Sequence, residues 1–126
     1  MKCAIVFPAV LLLLSQGSAA MAQTIKIEGQ LAGGNNVSVV CTIANGQVTG
    51  AGTLYGTNPS NGYRYAYPIT VTQGTTAQGK LILTGKLAGS LNMTLTSSVP
   101  NGAMVLSYTV NGKTYSYAGQ GSVTLQ

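Results

Sequence analysis

The chain has no His and no Trp, and its 126 residues include one carboxylate side chain, Glu28. Each absence removes a class of chemistry. General acid–base catalysis near neutral pH needs a group that titrates there, or a carboxylate pushed there by its surroundings. Glu28 alternates with Lys26 and Gln30 on what reads as an outward strand face, where it is solvated and ordinary. Metal sites need several convergent His, Cys or carboxylate ligands. No catalytic residue, metal or cofactor is therefore expected, and the chain reads as non-enzymatic.

Cysteine is equally scarce. Cys3 precedes an apolar run and leaves with it if that run is removed, so Cys41 stands alone and no intrachain disulfide can form. Cys41 shares an apolar strand face with Val37, Val39 and Ile43, which predicts an inert buried thiol. The cations Lys26, Arg64, Lys80, Lys86 and Lys113 are isolated along the chain, with no Lys/Arg run. A nucleic-acid partner would want a basic track interleaved with exposed aromatics, and none is expected.

Residues 1–22 read as a secretory signal peptide. Lys2 supplies the positive start, Ala9 to Leu14 the apolar heart, and Ala20-Met21-Ala22 an A-x-A exit. Cleavage after Ala22 implies a periplasmic or secreted protein. The apolar run is too short to span a bilayer, so no transmembrane span is expected in the mature protein. Cleavage leaves 104 residues, 126 less 22, enough for one domain over 23–126. Loss of Lys2 takes the formal charge from +5 to +4.

Period-two alternation fills the rest. Inward candidates are Ile25, Ile27, Gly29 and Leu31; Val37, Val39, Cys41 and Ile43; Val48, Gly50, Gly52 and Leu54; and Tyr63, Tyr65, Tyr67, Ile69 and Val71. The second half offers Leu81, Leu83, Gly85 and Leu87; Met93 and Leu95; Met104, Leu106, Tyr108 and Val110; and Tyr115, Tyr117, Gly119, Gly121, Val123 and Leu125. Asn45-Gly46, Asn61-Gly62, Asn101-Gly102 and Asn111-Gly112 are tight-turn signals, since both residue types tolerate positive φ. Short turns join neighbours antiparallel, which predicts an all-β up-and-down meander of about eight strands.

The halves, 24–73 and 80–126, read as a duplicated four-strand unit. Gly29-Gln30-Leu31-Ala32-Gly33 matches Gly85-Lys86-Leu87-Ala88-Gly89 at an offset of 56. Asn61-Gly62-x-x-Tyr65-x-Tyr67 matches Asn111-Gly112-x-x-Tyr115-x-Tyr117. Such a unit closes into a soluble barrel or packs as a two-sheet sandwich. Glycines on the inward face mark the sharp bends that closure needs and favour the barrel. A membrane barrel would turn its apolar residues outward and finish on an aromatic; this chain ends Val123-Thr124-Leu125-Gln126. The expected barrel resembles the calycin and avidin-like architecture in strand number and meander order alone. Without a Trp-bearing strand, nothing functional transfers.

Tyrosine is the only aromatic after the signal. Tyr63, Tyr65 and Tyr67 on one strand and Tyr115 and Tyr117 on its repeat equivalent could serve as a ligand platform or as bulky core. The loop Gly56 to Gly62, with Asn58, leads into the first of these strands, and Arg64 points to its other face. The candidate surface is thus Tyr63, Tyr65, Tyr67, Tyr115, Tyr117, Arg64 and Asn58. The function expected is an exported binding or interaction module for a small apolar ligand, a glycan or a protein. The alternative is a secreted structural, self-assembling matrix or surface protein.

Overall fold

The computed structural model describes residues 22–126. The export signal read over 1–22 falls, but for Ala22, outside them. Eight antiparallel strands follow one another around a closed barrel: β1 (Gln23–Leu31), β2 (Asn35–Ala44), β3 (Gln47–Thr57), β4 (Arg64–Ala77), β5 (Lys80–Leu87), β6 (Leu91–Ser98), β7 (Asn101–Val110) and β8 (Lys113–Leu125). A single 3-10 turn, Ala32–Gly34, joins β1 to β2. The seam is made by β1 and β8, which pair Ile25 with Leu125 through Leu31 with Gly119. Closure leaves no sheet edge for another chain to extend and rules out the two-sheet alternative.

Alternation sets what fills the barrel. Ile25, Ile27, Val39, Cys41, Leu95, Met104 and Leu106 are wholly excluded from solvent, and the remaining core is built from the same inward faces. The outward faces carry Lys, Thr, Ser and Gln, the reverse of a barrel that faces lipid. Glu28 lies outside, its Oε2 3.3 Å from the Lys26 ammonium, with both side chains exposed.

Inward glycines sit where neighbouring strands press together. A Cβ on Gly85 would stand 1.8 Å from the Thr70 carbonyl oxygen, and one on Gly119 would stand 1.9 Å from that of Gln30. No larger residue fits there without moving backbone, and this close coiling lets eight short strands close.

The pairing register has an approximate two-fold repeat. β1 and β2 pair Gly29 with Val37; β5 and β6 pair Gly85 with Met93, 56 positions on in each strand. The arrangement breaks at β7. Val37 faces Leu54, yet its equivalent Met93 faces Tyr108 rather than Val110, a slip of two residues. Asn101-Gly102 is accordingly not the β6–β7 turn: Asn101 already pairs with Ser122 inside β7, and the reversal lies at Val99-Pro100. Pro100 has no amide hydrogen to continue a ladder, so the chain turns there.

β4 also runs into residues 74–79, which separate the two expected halves. The β4–β5 register shifts between Val71 and Gln73, and this bulge sets Gly74 opposite Leu83 and carries the strand to Ala77. The turns at Gln78-Gly79 and Ala88-Gly89 place a non-glycine residue at φ 54° and 55° ahead of each glycine. Asn45-Gly46 and Asn111-Gly112 have the same paired positive φ and are the hairpin turns their composition predicts.

Candidate functional site

One end of the barrel is closed. There the β6–β7 connection is tied to both neighbours: the Val99 amide donates to the Gly79 carbonyl at 3.0 Å, and the Val123 amide to the Pro100 carbonyl at 2.8 Å. Val99 and Leu125 pack against the core at this end. Cys41 is buried on the inward face of β2, and that burial pushes its thiol up to about 11. A thiol so held is neutral and unreactive at ordinary pH.

The other end is open. A cavity of about 600 Å³ lies between the β1–β2, β3–β4, β5–β6 and β7–β8 connections. Tyr65 and Tyr67 of β4 line it together with Tyr108 of β7 and Tyr117 of β8, and Leu54, Leu87 and Leu91 supply aliphatic surface. Leu54 and Leu87 are buried and form its floor. Asn35, Asn58 and Pro59 complete the rim. No charged side chain is in the lining.

The tyrosines form two groups. Tyr65 and Tyr67 are two residues apart on one strand face, with ring centroids 5.6 Å apart. Across the mouth, Tyr108 stacks on Tyr115 at 5.5 Å and on Tyr117 at 6.1 Å. The Tyr108 and Tyr117 hydroxyls lie 3.4 Å apart. That contact, then desolvation, pushes Tyr108 up to about 12. Desolvation, and then the hydroxyls of Tyr117 and Tyr67, also raise Tyr65. The Tyr65 hydroxyl donates to Asn35 Oδ1, and Asn35 Nδ2 donates to the Ala32 carbonyl at 2.8 Å. Asn35 thereby links the β1–β2 turn to the cavity wall.

The β3–β4 loop is held by its own asparagines. The Ser60 amide donates to Asn58 Oδ1 and the Tyr63 amide to Asn61 Oδ1, each at 2.9 Å. With the Asn58 amide donating to the Tyr63 carbonyl at 2.8 Å and the Gly62 amide to the Asn58 carbonyl at 2.7 Å, these bonds fold the loop on itself, and Asn58 and Pro59 stand against the opening. Tyr63 stays in this loop, 74 % exposed, and does not join Tyr65 and Tyr67, because β4 begins at Arg64. Arg64 turns to a shallow outer groove with Tyr55, Thr57 and Ala66. Tyr115 flanks the mouth through its stack on Tyr108.

Of the residues singled out in the sequence, the structure brings Tyr65, Tyr67, Tyr117 and Asn58 to one cavity, sets Tyr115 beside it, and leaves Tyr63 and Arg64 outside. Tyr108 and Asn35 are the additions. Tyr108 already had inward phase in the alternation; it lacks a Tyr equivalent in the first half because the β7 slip matches it to Leu54. Asn35 carries no sequence signal beyond its place after a glycine turn.

With neutral hydroxyls, two amides and aliphatic surface, this mouth can stack on and enclose an apolar body and orient one or two polar groups. It offers no group that would transfer a proton near neutral pH. No protein-family model, no curated protein and no solved structure matches the chain.

Proposed function

We propose that the chain is an exported, non-catalytic β-barrel binding module that takes a small, predominantly apolar molecule into its tyrosine-lined mouth. The observation that carries this reading is the cavity of about 600 Å³ at the open end, walled by four tyrosines over an aliphatic floor. Its volume lies in the range of about 300–1,000 Å³ typical of small-molecule sites. An eight-strand barrel has room for one such ligand and little more. A glycan would ask for more hydrogen-bonding groups than the aliphatic side of the wall supplies. The self-assembling alternative is less well supported, because a closed barrel presents no edge strand for a neighbour to extend.

Since the chain has no Trp, its intrinsic fluorescence comes from tyrosine, and five of its seven tyrosines stand in or beside the mouth. Native mass spectrometry of protein recovered from its own host is expected to show a retained small molecule. Re-addition of that molecule to stripped protein should change the tyrosine emission, and Tyr117→Ala should weaken binding at least tenfold. A stripped protein that rebinds nothing, or that elutes as large thioflavin-positive assemblies, overturns the reading.

A further inference from the structure

We infer that the mouth is selective for a single-chain anionic amphiphile, with its hydrocarbon on the leucine floor and its acidic head group on Lys113. This rests on the binding reading above and adds polarity and orientation to it. Lys113 opens β8 in the same inward phase as Tyr115 and Tyr117. Its ammonium stands 5.9 Å from the centre of the Tyr115 ring; Tyr115 stacks on Tyr108, which with Tyr117 forms the cavity wall. Val110, the residue paired with Lys113 across the β7–β8 turn, also lines the cavity. A column on β8 therefore runs from a cation at the rim, through tyrosine rings and hydroxyls, toward buried aliphatic surface.

The charge distribution gives that cation its sign of partner. Glu28 is the one carboxylate side chain of the protein, and it is engaged by Lys26 on the outer wall. Lys113 has an aromatic face beneath it and no side-chain carboxylate to pair with. Arg64 opens β4 at the same end but turns to the outer groove, so Lys113 is the cation in the inward phase of the rim, and no acidic side chain stands near it. Below the rim the lining is neutral, and burying an ionised group there would cost far more than leaving it at the edge. The lowest-energy pose of an amphiphile thus keeps an anionic group by the ammonium and sends its chain to Leu54, Leu87 and Leu91.

The test compares dodecanoate, dodecanol and dodecyltrimethylammonium by tyrosine fluorescence and calorimetry on the full exported chain at low salt. Dodecanoate should bind tightest, about two- to fivefold over dodecanol, the size expected of a solvent-exposed charge pair. That margin should shrink at high salt. Lys113→Met keeps the hydrocarbon stem and should remove the margin while dodecanol affinity holds. Lys80→Met, at the closed end, should change nothing. Equal binding of acid and alcohol, or an unchanged margin in Lys113→Met, overturns the head-group assignment and leaves the cavity reading standing. Failure of all three probes overturns both. Retention on phosphatidylglycerol vesicles without dodecanoate binding would assign the cationic rim to a lipid surface and also overturn the inference.

Discussion

At the end of the barrel where Gln23 and Leu125 lie, the inward positions include Ile25, Ile43, Leu81, Leu95 and Val123, none more than 2 % exposed, with Ser97 buried among them and Leu125 partly buried at the edge. At the opposite end the same inward phase carries Tyr65, Tyr67, Tyr108 and Tyr117 around a cavity. Both ends obey one alternation; they differ in what caps them. The closed end has a short β6–β7 connection hydrogen-bonded to Gly79 and Val123, and branched aliphatics that interdigitate. The open end has a β3–β4 loop that folds on itself through Asn58 and Asn61 instead of crossing the barrel. Its rings are planar, and the hydroxyls of Tyr65, Tyr108 and Tyr117 bond to Asn35 or to one another, so they line the opening without filling it. Close packing is concentrated at one end and the cavity at the other.

The largest test of that division is a pair of truncations. Leu95→Ala removes a fully buried side chain from a core that cannot easily collapse, and should cost about 2–5 kcal/mol of unfolding free energy. Tyr117→Ala removes a half-buried ring beside an existing cavity. It should cost about 1–2 kcal/mol, because only part of its surface leaves water on folding. Urea denaturation monitored by circular dichroism reads both. Equal losses would mean that the mouth is simply more core, and the two ends would not be functionally distinct.

The closed end was the more legible of the two in sequence. Every buried apolar side chain among the described residues lies on a face that strict alternation assigns inward, Leu81 and Leu83 as much as Val37 and Val39. Alternation carries one bit per residue, and an aliphatic core needs no more. It fails where an extra residue resets the phase, as at the β4 bulge that turns Gly74 rather than Gln73 toward Leu83. Turn chemistry was readable at Asn45-Gly46 and Asn111-Gly112. It was hidden at Ala88-Gly89, where hairpin geometry imposes a positive φ that alanine does not favour. The mouth was legible only in part. Tyr65, Tyr67 and Tyr117 announce themselves by phase, but a cavity depends on how far rings on opposite strands stand apart after closure. That distance, and the inclusion of Tyr108, depend on a register slip set at Pro100, at the far end of β7.

Alkaline titration sharpens the comparison, because each end holds a group whose proton is retained for a different reason. Burial raises Cys41 from 9.0 to about 11. Hydroxyl pairing with Tyr117, then desolvation, raises Tyr108 from 10.0 to about 12. In both cases the folded chain binds the proton more tightly than the unfolded chain. Each contribution to stability is whole below the unfolded value and is lost as pH rises through the folded one. The loss should run from about 9 to 11 for Cys41 and from about 10 to 12 for Tyr108. Urea midpoints measured against pH should therefore fall across a broad window. Cys41→Ala should flatten its lower part and Tyr108→Phe its upper part. If Tyr108→Phe leaves the upper slope intact, the two hydroxyls do not share a proton in solution.

The smallest expected effect lies at the join between wall and turn. Tyr65 donates to Asn35 Oδ1, and Asn35 is buried with its amide nitrogen already committed to Ala32. Tyr65→Phe keeps the ring and removes the donor. In a dry core an orphaned amide oxygen would cost up to about 3 kcal/mol. Here the cavity is open, and water can reach the oxygen from the mouth, so the expected loss is about 0.5–1.5 kcal/mol, the net value of one ordinary hydrogen bond. The same variant should leave ring stacking with Tyr67 unchanged and lower affinity only for ligands whose polar group approaches Asn35. A cost near 3 kcal/mol would show that the mouth excludes water even when unliganded, and would make the open end as much a part of the folded core as the closed one.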